Sequence, residues 1–208
     1  MPPKPKFTKR QLVEAAYSII KKEGAERLTA RAVAARLDTT PTPIFTYFEG
    51  MDELKETVYI KAKKECVKYL SEARNFKPAF AEFVLRFVHF AYKEANVFRF
   101  LFFSGDFNDK RESFRKELVA PIFDSIREEY GLSEKESMDL LHQVLIHATG
   151  IASVEIALGE TLSDDEILHS LRDMTLGLVA VAKMRKGSLS KELRQRIEQT
   201  DYTLPKKI

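Results

Sequence analysis

Three capping boxes divide this chain into helices. Thr8–Gln11, Ser133–Glu136 and Ser163–Glu166 each set a hydroxyl residue three positions ahead of a Gln or Glu, in front of an apolar run of helical spacing. In such a box the two side chains reciprocally satisfy backbone amides that the first helical turn leaves open. Phe7 with Leu12 and Leu162 with Ile167 occupy the hydrophobic-staple positions around two of the boxes. Thr29 supplies a further N-cap, stapled by Leu28 and Val33. Gly24 and Gly131 stand where a left-handed residue stops a helix. No segment alternates apolar and polar residues with the period of a strand. The expectation is an all-α chain.

The punctuation predicts helices over 8–23 and 29–36, then a short one opening at Thr40 or Thr42. A long helix capped by Asp52 follows, ending near Asn75. Beyond it come 78–95, 97–103, 109–130 with a kink at Pro121, 133–158 and 163–186. A weak helix is expected after Ser190 and a frayed end at 204–206. The 208 residues are read as two domains, 1–51 and 52–208. Cys66 is the only cysteine, which excludes an internal disulfide and a cysteine-based zinc site and suits a reducing compartment. No apolar run is read as long enough to span a membrane, so a cytoplasmic protein with no membrane partner is expected.

Charge is unevenly placed. Residues 1–50 hold nine Lys/Arg against five Asp/Glu, whereas the remainder holds 25 basic and 26 acidic residues. The two short helices, joined by Leu37-Asp38-Thr39, fit a helix-turn-helix, whose second helix enters the major groove of DNA. That second helix has no Lys or Arg and offers Thr40, Thr42 and Thr46, with Pro41 and Phe45 beside them. Hydroxyl and methyl contacts to base edges suit such a tip. Positive charge comes from Lys4, Lys6, Lys9, Arg10, Arg31 and Lys55, while Tyr47 offers a neutral contact to phosphate. Val33, Leu37, Ile44 and Phe48 read as the core of the three-helix unit.

Residues 28–54, LTARAVAARLDTTPTPIFTYFEGMDEL, resemble the signature of the tetracycline-repressor (TetR) family, with Thr29, Arg31, Val33, Ala34, Thr40, Ile44, Tyr47, Phe48 and Leu54 at matching positions. Three positions depart from it: Asp38 stands where the family has Gly, Phe45 where it has Tyr, and Met51 where it has Lys. The DNA-facing set is then Lys9, Arg10, Thr29, Arg31, Thr40, Pro41, Thr42, Phe45, Thr46, Tyr47 and Lys55. The resemblance implies a C-terminal helical domain that binds an effector and dimerises. It also implies a regulator, usually a repressor, released from a palindromic operator in double-stranded DNA.

Ten of the fifteen Phe lie between Phe76 and Phe107. Large rigid rings between helices can leave a slot for a ligand. A small apolar effector is therefore expected against Phe83, Phe87, Phe90, Phe98, Phe102, Phe103, Phe107 and His142, with His89, Tyr92 and Arg99 as further polar tips. The helices over 133–158 and 163–186 carry apolar surface beyond one stripe, together with the small residues Ala148, Gly150, Ala152, Gly177 and Ala180. They are expected to form the homodimer. No cofactor, metal or catalytic role is expected. There is no phosphate-cradling glycine loop, H-E-x-x-H or nucleophile elbow, and Asp165, His169 and Asp173 read as a solvated face. The competing expectation is a DNA-associated scaffold with a fully packed, ligand-insensitive C-terminal half.

Overall fold

The computed structural model describes residues 7–159 and 162–185, and among them it contains α-helices and 3₁₀ turns but no strand. The order is α1 Lys9–Glu23, α2 Ala30–Arg36, α3 Thr42–Tyr47, α4 Met51–Ser71, α5 Ala79–Lys93, α6 Ala95–Phe102, α7 Arg111–Val119, α8 Phe123–Tyr130, α9 Glu134–Leu158 and α10 Asp164–Arg185. Lys4, Lys6, the helix expected after Ser190 and the end at 204–206 lie outside the described residues.

All three capping boxes form. The amides of Gln11, Glu136 and Glu166 reach the hydroxyls of Thr8, Ser133 and Ser163 at 3.2, 3.4 and 3.3 Å. The return bonds, from the cap amides to the Gln or Glu side chains, measure 2.9, 2.8 and 2.9 Å. Thr29 accepts from the Ala32 amide at 3.1 Å. Gly131 ends α8 in the left-handed conformation. Asp38 takes a positive φ of 48° in the turn after α2, the strained position where Gly would be at ease.

Elsewhere the boundaries differ from the sequence expectation. The N-cap of α4 is Gly50, not Asp52, and it lends no side chain. The Glu53 carboxylate instead accepts from the Glu49 amide at 2.7 Å. The segment 109–130 is broken rather than kinked: α7 stops at Val119, a 3₁₀ turn spans Ala120–Ile122, and α8 begins at Phe123. Pro121 lacks an N–H, and its ring crowds the carbonyl one turn back, so helical bonding cannot run through it. α3 opens at Thr42, the later of the two expected starts, and the turn after α2 is therefore five residues, 37–41, rather than three.

One hydrophobic core is continuous from Leu12 in α1 to Val179 in α10. Leu12 and Ala16 of α1, Val33 of α2, and Ile44 and Phe48 next to it close the N-terminal unit. Its continuation is α4, where Leu54, Val58, Ala62, Cys66 and Leu70 repeat every fourth residue and are fully buried. Val67, on the same helix, is half-buried. Lys61 of α4 pairs with Glu14 of α1 at 3.0 Å, and Lys21 of α1 with Glu94 at 2.5 Å. α5 packs between α4 and the pair α9–α10.

α9 corrects one expectation. It is 25 residues long with a window of mean hydropathy 1.3, enough by length and composition to cross a membrane. His142, Gln143 and His147 interrupt the apolar run, which is why counting consecutive apolar residues passes it over. Ala148 and Ala152 are fully buried in the core. The opposite face leaves Ile146, Val154 and Leu158 exposed, the last two at 57% and 66%.

Ser133→Ala is expected to lower stability by about 1 kcal/mol, read as a fall in Tm of roughly 2–4 °C. Asp38→Val is expected to cost about 1–2 kcal/mol at its left-handed position, and Asp38→Gly nothing. Thermal unfolding of the variants checks both; an unchanged Tm for Asp38→Val would contradict the strain.

Candidate nucleic-acid interface and internal cavity

α3 is held by its buried side, Ile44, with Phe48 just beyond its end, and offers the other side to solvent. Thr40, Thr42 and Thr46 are exposed, Phe45 is 53% exposed, and Pro41 is half-buried. The Thr46 hydroxyl donates to the Thr42 carbonyl at 3.3 Å, so its methyl is the part left for a partner. Arg36 fixes α2 on α1 by donating to the Ser18 hydroxyl at 2.7 Å and pairing with Glu23. Thr29 and Arg31 are exposed beside this tip, as is Arg10 at the start of α1. Among the described residues neither arginine has an ion-pair partner.

Three of the expected DNA contacts are engaged within the protein. The Tyr47 hydroxyl donates to the Phe7 carbonyl at 2.8 Å, so its proton is directed away from any phosphate and ties the end of α3 to the residue just ahead of the α1 cap. Lys55 pairs with Asp106, well beyond the head in sequence. That lysine, with Ser104, holds the Asp106 carboxyl below its ordinary value. Lys9 pairs with Glu53 at 3.4 Å and lies over the Phe48 ring at 4.6 Å. The Glu49 amide and Lys9 together hold the Glu53 carboxyl low. Spacing alone does not reveal these partners, because Phe7, Asp106 and Glu53 are brought near only by the fold.

The body contains a cavity of about 380 Å³ between α5, α6, α7 and α9. Of the eight residues expected around a ligand, Phe87, Phe102 and His142 line it. Phe83, Phe90, Phe98 and Phe107 are instead buried in the packing around it. Phe98 meets Phe87 edge-on at 5.5 Å, and Phe107 stacks on Tyr59 at 4.0 Å. Phe103 is 55% exposed at the surface. Of the further polar tips, His89 meets Asp164 at 2.8 Å, and Tyr92 and Arg99 are exposed.

Sequence reasoning missed the wall formed by α7. Arg111, Phe114, Arg115 and Leu118 all line the cavity. Their spacing of i, i+3, i+4 and i+7 is that of one helix face. Two of the four are charged, which hides the face from a search for apolar periodicity. Arg115 donates to His142 Nδ1 at 3.0 Å and pairs with Glu112 at 2.6 Å. Arginine only donates, so Nδ1 accepts and the neutral ring carries its proton on Nε2. Arg111 donates to the Ser104 carbonyl at 3.0 Å.

The other side of this segment faces α4. Lys55 pairs with Asp106, Glu56 with Lys110, and Lys63 with Glu117 at 2.7 Å. Three ion pairs along two turns of α4 thus join it to the segment whose opposite face walls the cavity.

Residues 12–58 match the family described as bacterial regulatory proteins, tetR family. No curated protein matches the chain. Among solved structures, the chain is similar to a proposed transcriptional regulator from Pseudomonas aeruginosa PAO1, with 16% identity and a TM-score of 0.65 over 88% of this chain and 96% of that one. That likeness shows a shared fold.

Tyr47→Phe removes the bond to Phe7 without changing the ring, and is expected to lower stability by about 1 kcal/mol. Chemical denaturation of the two proteins measures this; identical midpoints would show that the bond to Phe7 contributes nothing to stability.

Proposed function

The chain is a DNA-binding transcription regulator of the bacterial tetR family, and from that premise we propose that it is a dimeric repressor released from a palindromic operator by a small ligand in its body. The observation that carries this reading is α4. It follows α3 after a short turn, roots in the core, and is held by three ion pairs to the segment 106–117, one of them to Glu117 of α7, the helix that walls the cavity. A ligand that moves α7 acts on α4 directly and so on the placement of α3. Its leverage equals its preference for one placement over the other, typically 1–3 kcal/mol. An open cavity favours this reading over a scaffold with a fully packed body. Such a regulator works in the cytoplasm, beside its DNA.

The base-reading residues are Thr40, Thr42 and Phe45, with the Thr46 methyl. Arg10 and Arg31 supply the cations, and Thr29 a hydroxyl hydrogen, toward phosphate. Lys9, Lys55 and Tyr47 would join them only by leaving the partners they hold here.

The dimer forms through α9 and α10. Ile146, Gly150, Val154 and Leu158 repeat every fourth residue along the outer side of α9, and Leu176 and Gly177 extend the exposed surface on α10. The glycines allow the close helix approach that a four-helix junction needs. A two-fold pair sets its recognition helices roughly 34–36 Å apart, one turn of duplex.

Selection on randomised duplexes is expected to return a palindrome, with base preference altered by Thr42→Ala. Log K should fall by about 0.9 per neutralised phosphate for each unit of log salt. Arg10 and Arg31 from two subunits then give a slope near −3.6, and Arg31→Ala halves it. A slope near zero would contradict the electrostatic assignment. Val154→Glu is expected to yield a monomer in sedimentation at micromolar concentration; a persistent dimer would contradict the assigned interface.

A further inference from the structure

We propose that the cavity takes an amphiphilic anion, a carboxylate on an apolar chain or ring system, with Arg111 and Arg115 receiving the head. This rests on the reading of the cavity as an effector site and narrows the chemistry from apolar to acidic.

The polar residues of the wall supply donors almost exclusively. Arg111 and Arg115 carry two full positive charges, and the ring proton of His142 on Nε2 remains available once Nδ1 accepts from Arg115. Thr149, the fourth polar residue, donates its hydroxyl to the Leu145 carbonyl of its own helix at 2.7 Å. No carboxylate lines the cavity among the described residues. Glu112 approaches from outside, pairing with Arg115 at 2.6 Å and with Lys116 at 3.6 Å. It meets one of the two guanidinium groups, and among the described residues Arg111 is left with only a backbone carbonyl. A wall with two cations, a further N–H and no acid suits an acceptor-only head group. The apolar part of the lining, Phe87, Leu101, Phe102, Phe114 and Leu118, offers a surface for the chain or ring system.

Volume sets the chain length. At ~30 Å³ per water-sized group, 380 Å³ holds about a dozen heavy atoms. Decanoate has that size. Its head displaces no protein acid from Arg111, and competes with Glu112 for Arg115. That competition acts on α7 itself, since Glu112, Arg115 and the α4-bound Glu117 belong to the same helix.

The test uses the full chain and three probes of equal chain length: decanoate, decan-1-ol and decylammonium, titrated by calorimetry below their aggregation limits. Decanoate is expected to bind at least about tenfold more tightly than decanol, and decylammonium not at all. Octanoate should be weaker than decanoate by about fourfold per methylene. Arg111→Gln with Arg115→Gln should abolish the preference for the acid, so that decanoate binds no more tightly than decanol to the same variant. The paired Lys substitutions should retain part of the preference, which separates charge from folding. Equal binding of acid and alcohol, or an acid preference that survives the Gln pair, would overturn the anionic head while leaving the effector cavity standing. Failure of all three probes to bind would overturn the effector reading and this proposal with it. Should the Gln pair fail to fold, the acid–alcohol ratio in the native chain and the Lys pair decide.

Discussion

Burial of one stripe of α4 is the constraint on which the rest of the structure depends. Leu54, Val58, Ala62, Cys66 and Leu70 face a single continuous core. The first of these residues packs near the DNA-reading unit, and the last stands where Arg86, midway along α5, donates to the carbonyl of the adjacent Tyr69. A rigid helix buried along such a line cannot tilt at one end without moving the other. The head is therefore an extension of the body's packing.

The ion pairs along α4 have a different role from the core. Each is partly exposed, and such a pair contributes only about 0–1 kcal/mol to stability. Their value lies in direction. α7 presents Phe114 and Leu118 to the cavity and Glu117 to α4, so a displacement felt on one side is delivered to the other. For the proposed ligand response, three modest contacts would suffice because the coupling energy of such a switch is itself modest.

The parts of the fold that rest on local chemistry were legible in the sequence. A hydroxyl three residues ahead of a Gln or Glu needs nothing distant to form a cap, and all three boxes stand where that spacing put them. Asp38 was readable for the same reason: few side chains other than Gly accept a positive φ. Long-range partners were not legible. Tyr47 and Lys55 looked free until the chain brought Phe7 and Asp106 to them. The phenylalanines located the cavity region, but which rings fill the core and which line the space is decided by packing between helices. Phe98 and Phe102, four residues apart on α6, fall on different sides of that division. The two wall arginines were hidden because charge on a helix face ordinarily signals solvent.

The most direct measurement is the distance between the two α3 tips. Spin labels at Ala35→Cys, an exposed position on α2 outside the base-reading set, in a Cys66→Ser background report it by double electron–electron resonance. On operator DNA the account predicts a narrow distribution at a spacing compatible with half-sites about 34–36 Å apart, displaced by several ångströms when decanoate fills the cavity. A distribution that decanoate leaves unchanged, while calorimetry shows the ligand bound, would contradict the claim that α4 carries the cavity's state to the reading head.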